Sequence, residues 1–146
     1  RIMGKADKDH WHGEPVRYYS GIFGNKWSLL ILRDMIFDGK RSFGAFLESP
    51  EKIATNILTT RLGEMVEAGV IAKVMPKRKG ARAVYILTPR GRAMLPVIFA
   101  IMDWAAREDP DSTPDASLLG ALRDTPSMLK VKLLAEIDAA DKAALA

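Results

Sequence analysis

From Ile53 to Arg92 a helix-period stretch runs straight into a two-strand hairpin pattern, and this pairing restricts the fold more than any other part of the chain. Leu58, Leu62, Met65, Val66 and Gly69 fall on one arc at about 100° per residue. Asn56, Thr60, Gly63, Glu64 and Glu67 fall opposite, with Thr59 and Arg61 on the flanks. Gly69 ends the helix. Val70 to Met75 and Arg82 to Leu87 are rich in β-branched and aromatic residues and read as strands. Pro76 to Ala81 is the turn between them, with Gly80 as its flexible position. Lys77, Arg78, Lys79 and Arg82 crowd this turn, and no Asp or Glu occurs from Lys73 through Arg92. Cations at a hairpin tip cannot help a core, and they repel one another unless solvated or paired with a polyanion.

The bulk numbers suit such a partner. The 146 residues are enough for one ordinary domain, or a small domain with an extension. There is no Cys, which excludes disulfides, thiolate metal sites, iron–sulfur clusters and cysteine redox sensing. No apolar run approaches the ~18 residues of a membrane span. The first residues, which begin at Arg1 rather than Met, carry no signal-peptide pattern, so a cytoplasmic chain is expected. The net charge of +4 is modest, yet it is concentrated in the middle, while Glu108 to Asp115 is acidic and Pro-rich. This asymmetry fits a polyanion, the plain alternative being a solvated basic surface.

Along the rest of the chain, residues 1–14 read as a polar arm. Its His10, Trp11 and His12, with Asp9 and Glu14, make too weak a pattern for a metal site, and no metal or other cofactor is expected. Pro15 opens a helix to about Phe23, and Gly24–Asn25 break it. Lys26 to Phe37 reads as a buried helix with Arg33 and Asp34 outside. Ser42 caps a short helix, Phe43 to Leu47. Thr88–Pro89 starts a long helix whose Met94, Val97, Ile98, Ile101, Trp104 and Ala105 form an apolar stripe shared between core and subunit contact. Pro96 should kink that helix. Residues 108–114 form a linker, and two further helices, Asp115 to Arg123 and Pro126 to about Ala144, form an extension over 115–146. The extension can cover the first domain, cross to a second subunit, or close over a ligand pocket near Pro96 and Trp104.

A helix followed by a basic-tipped hairpin is the arrangement of a winged helix-turn-helix. The expected fold is therefore mostly α with a small β-hairpin (α+β), spanning 15–107, with additional dimerisation helices and the C-terminal helical extension. Residues Pro15 to about Ala106 also resemble the HxlR-type regulators, relatives of the MarR-like winged helices. Gly24–Asn25–Lys26–Trp27 and Leu29 to Arg33 resemble the family's Gly-Gly-Lys-Trp helix opening. Arg41, Phe43 and Phe46 resemble its Arg-Phe-x-x-Leu helix, and Ile53, Leu58–Thr59, Arg61–Leu62 and Glu64 its recognition helix. Gly69–Val70–Ile71 follows as in the family. Tyr85, Leu87–Thr88 and Gly91 resemble its Tyr-x-Leu-Thr-x-x-Gly segment, and Trp104 matches a frequent Trp. Many members carry a Cys before the Pro-Val of the first helix. Glu14 stands there instead, so thiol sensing does not carry over.

The resemblance implies a sequence-specific, DNA-binding transcriptional regulator, a repressor acting as a homodimer on a pseudo-palindromic operator. Thr55, Asn56, Thr59, Thr60 and Arg61 are expected at bases and phosphates. Lys77, Arg78, Lys79 and Arg82 are expected at phosphates or the minor groove, with Lys26 and Arg41 as further phosphate contacts. Val16, Tyr19, Ile98, Ile101 and Trp104 are expected at the subunit contact. A small-molecule effector is open. A winged-helix protein-interaction module without specific DNA binding is the alternative. Catalysis is not expected, because the chain holds no nucleophile elbow, P-loop, dinucleotide fingerprint or metalloprotease motif.

Overall fold

The computed structural model describes residues 11–146. His10 and Asp9 of the weak metal pattern lie outside them; Glu14 caps a helix instead, its carboxylate accepting from Val16 N and Arg17 N. Three helices form the first layer: α1 (Pro15–Phe23), α2 (Lys26–Phe37) and α3 (Phe43–Leu47). Gly24 is required between α1 and α2, because a Cβ there would lie 2.2 Å from the Ser20 carbonyl oxygen. Asn25 then caps α2 by accepting from Trp27 N and Ser28 N at 2.8 and 2.9 Å. Helix α4 (Thr55–Glu67) follows and leads into the antiparallel pair β1 (Ile71–Val74) and β2 (Val84–Leu87), with Ile71 opposite Leu87 and Val74 opposite Val84.

The helix-to-strand corner is closed locally. Gly69, at φ +75, and Val70 send their amides back to Val66 O and Met65 O, a Schellman ending that leaves Met65 and Val70 both buried. On the other side Thr88 donates its hydroxyl to Gly69 O and Val70 O and accepts from Gly91 N. A Cβ on Gly91 would sit 2.2 Å from Val70 O, which explains the Thr-x-x-Gly spacing.

Where one kinked helix is expected after Thr88, there are two: α5 (Pro89–Arg92) and α6 (Leu95–Glu108). Pro96 lies in the first turn of α6, where a missing N–H leaves nothing unpaired. The helix therefore restarts at the proline instead of bending around it. The acidic linker folds into a 3-10 turn, Pro110–Ser112, capped by Asp109. Helices α7 (Ala116–Asp124) and α8 (Pro126–Leu145) complete the chain. Helix α8 packs on α2, β2 and α6 of the same chain, the first of the three arrangements open to the extension. Leu129, Leu133 and Ile137 join the core formed by Leu32, Met35, Phe46, Leu58, Leu62 and Leu95.

Candidate nucleic-acid interface

Helix α4 is fixed from its buried side. Leu58, Leu62 and Met65 are almost fully enclosed, and each contributes ~1.5–3 kcal/mol by area. Its entry loop is held by charge. Arg33 reaches Glu51 through two bonds, 2.9 and 2.7 Å, and Asp34 through two more, while Ser49 and Lys40 also turn to Asp34. Asp34, expected on the outside, is 3% exposed: it links α2 to the turn before α4. The Arg33 bonds hold the Glu51 carboxyl below its usual range, burial opposing only in part.

What α4 shows to solvent from Thr55 to Thr60 is uncharged. Thr55, Asn56, Thr59 and Thr60 are exposed. The hydroxyls of Thr59 and Thr60 donate to Thr55 O and Asn56 O, at 2.9 and 3.0 Å, which leaves their oxygens as outward acceptors. The N-cap is Ala54, which makes no side-chain bond to the first-turn amides. Just ahead of it Lys52 is exposed and held at φ 56, a left-handed conformation rare for a side chain of its size. Nothing in the sequence pattern singles out Lys52, because strain at one loop residue has no periodic signature.

The hairpin tip bears Lys77, Arg78, Lys79 and Arg82, all exposed. Gly80, at φ +77, makes the turn in which Ala81 N bonds Arg78 O. Lys26 is exposed at the start of α2 with its ammonium 4.9 Å from the Trp27 ring centre. Two of the expected contacts sit differently. Arg61 is bound to Glu64 at 2.8 Å and is only partly exposed. Arg41 is not at the surface at all: it is 5% exposed, and its guanidinium is spent on Asp141, Met35 O and Lys40 O. A side chain so enclosed cannot reach a phosphate, and the assignment of Arg41 to DNA is corrected.

The apolar stripe of α6 divides into two faces. Leu95, Ile98 and Phe99 face the core, and Ile98, at 5% exposure, is a core residue and not a subunit contact. Val97, Ile101 and Trp104, spaced i, i+4, i+7, point outward, Trp104 at 65% exposure. Val16 is exposed on α1, and Tyr19 is partly buried against Phe23, ring centres 5.2 Å apart. Pro96 and Trp104 are both exposed. A cleft between Trp27, Ile31, Phe46 and Ile53 has a cavity of about 10 Å³, room for roughly one water. Among the described residues no helix is long and apolar enough to cross a membrane, and no cluster of His, Asp and Glu could hold a metal.

The HxlR-like helix-turn-helix profile aligns with residues 22–112. The chain belongs to the HxlR-like helix-turn-helix family. Two HTH-type transcriptional regulators are among its relatives. YdeP of Bacillus subtilis (strain 168) is 35% identical over 99 residues, 68% of this chain and 77% of its own. The regulator sll1512 of Synechocystis sp. (strain ATCC 27184 / PCC 6803 / Kazusa) is 34% identical over 98 residues, 64% of this chain and 72% of its own. The crystal structure of PA1607, described as a candidate transcription factor, superposes with a TM-score of 0.61 at 38% identity, covering 70% of this chain and 69% of its own. Reduced YodB of B. subtilis shares the fold, with a TM-score of 0.57 at 22% identity over 65% of this chain and 92% of its own. This HxlR-like chain is thus a transcriptional regulator of the helix-turn-helix type, mostly helical with one antiparallel pair of strands.

Proposed function

We propose that the chain acts as a homodimeric repressor on a pseudo-palindromic operator, each α4 entering a major groove by its N-terminal turns. The observation that carries this reading is the face of α4: exposed, uncharged Thr55, Asn56, Thr59 and Thr60 behind an end without a side-chain cap. Small donors and acceptors there suit base edges, and open first-turn amides suit a phosphate. Lys77, Arg78, Lys79 and Arg82 grip phosphates or the adjacent minor groove without reading sequence. Lys26 and Lys52 add phosphate contacts, and Arg61 does so by leaving Glu64. Two copies meet through Val97, Ile101 and Trp104 of α6 together with Val16 and Tyr19 of α1. A dimer seated on a promoter blocks polymerase.

The test is selection of bound sequences from a random duplex pool, followed by salt titration of the selected site. Replacing Lys77, Arg78 and Lys79 by Ala should weaken all duplexes alike and flatten the log–log salt slope by about 0.9 for each phosphate no longer neutralised. Replacing Asn56 should instead change the preferred sequence, at ~1–3 kcal/mol for each base edge it ceases to read. A wing variant that binds as well as the parent in moderate salt sinks the wing assignment, and a salt-insensitive interaction sinks the DNA reading.

A further inference from the structure

The family match covers residues 22–112, and α8, which lies outside it, touches the wing. Leu145 O accepts from Lys77 N at 3.1 Å, and Ala146 O accepts from the Arg78 guanidinium at 3.1 Å.

Besides the apolar packing of Leu129, Leu133 and Ile137, a buried carboxylate ties α8 to this part of the fold. Asp141 accepts from Arg41 at 2.7 Å through one oxygen and from Arg92 at 2.9 Å through the other. Both arginines also contact the main chain of β2. The main-chain oxygen of Arg41 accepts from Tyr85 N of β2 at 2.8 Å, and Arg92, just past β2, donates to Leu87 O at 3.3 Å. Asp138, one turn earlier on α8, also pairs with Arg92. Arg41 is buried, so removing the Asp141 charge strands a cation in the interior and favours undocking of α8.

We propose that Asp141 is a positioning residue for DNA binding. It pins α8 to the two segments that meet β2, and α8 in turn acts as a strut that sets where Lys77, Arg78 and Lys79 sit. An untethered hairpin tip samples many positions on the nanosecond-to-microsecond scale, and ordering it only on the duplex costs affinity. The strut removes that cost in advance. The proposal rests on the DNA-binding reading above for its consequence, but not for the tether itself.

The experiment compares the full chain with Asp141→Arg and Asp141→Asn, the milder variant deciding if the charge reversal does not fold. Amide hydrogen exchange without DNA follows residues 126–145 and 77–82, and duplex binding is titrated against salt. The expected result is faster exchange in α8 and at Lys77 together and ~10-fold weaker binding at low salt, with the salt slope and the selected sequence unchanged because the bound wing still neutralises the same phosphates. A purely structural role for Asp141 would lower stability without weakening duplex binding by the folded protein. The proposal is overturned if α8 is released while wing exchange and duplex affinity stay as in the parent, or if α8 stays docked in both variants. If the parent shows no salt-dependent duplex binding, the DNA reading fails by itself and the exchange data still judge the strut.

Discussion

In the proposed DNA-bound arrangement, Ala54 is the residue at which folding and binding pull in different directions. Glu14, Asn25, Ser42, Thr88 and Asp115 each cap a helix through a side-chain oxygen. Ala54 occupies the same position on α4, at φ −68 and ψ 145, and caps nothing. Ala54→Ser and Ala54→Asp should both stabilise the fold, by ~0.5–2 kcal/mol in thermal or denaturant unfolding, because each satisfies an orphan amide. Their effects on duplex binding should diverge. The acid places a negative charge beside the phosphate expected at this helix end, so Ala54→Asp should bind distinctly more weakly than Ala54→Ser at low salt. Equal affinities of the two variants would mean that the end of α4 does not face the backbone of the duplex.

At the scale of elements, Asp103 joins α6 to α7 by accepting from Arg123 at 2.5 Å, and it also accepts from Arg107 of its own helix at 3.1 Å. These bonds, Arg123 first, hold the Asp103 carboxyl below its usual range. A carboxyl with a lowered folded pKa contributes stability that is fully present above its unfolded value and is lost as pH falls through the folded one. Following the Asp103 carboxyl by NMR titration, Arg123→Ala should raise its midpoint toward the ordinary Asp value, and Arg107→Ala should raise it less. The reverse order would place the main partner within α6. The same elements show which features a sequence makes legible and which it hides. Helix starts at Pro15 and Ser42, the Gly69 ending and the Thr88-x-x-Gly91 corner are local, each settled within a few residues, and they are readable. Thr125–Pro126 has the same local pattern, but Thr125 makes no capping bond. The division of α6 into an Ile98 face and an Ile101–Trp104 face is not readable, because a continuous apolar stripe does not say which edge meets the core. Nor is the burial of Arg41 or Asp34: their partners include Asp141, far along the chain, and Ser49, and periodicity treats any charge as solvated.

For the whole molecule, the proposed assembly rests on the outward face of α6. Val97, Ile101 and Trp104 leave an exposed apolar ridge, Trp104 at 65% exposure, while Ile98 on the inner face is at 5%. An ionised side chain at each position therefore has a different consequence. Ile98→Glu buries a charge without a partner and should prevent folding, or cost more than ~4 kcal/mol. Trp104→Glu and Ile101→Glu leave the monomer's core intact, so far-UV circular dichroism should remain that of the parent. If two copies pair through this ridge, sedimentation should show a dimer for the parent and a monomer for either variant. The same variants should bind a duplex with two half-sites more weakly by ~10²-fold or more, since linked engagement of both half-sites is abolished, while a duplex with one half-site should bind about as before. A parent that sediments as a monomer, or a Trp104→Glu variant that stays dimeric, would move the subunit contact away from α6, and the half-site spacing expected from a two-fold dimer would then have to be sought in another face of the molecule.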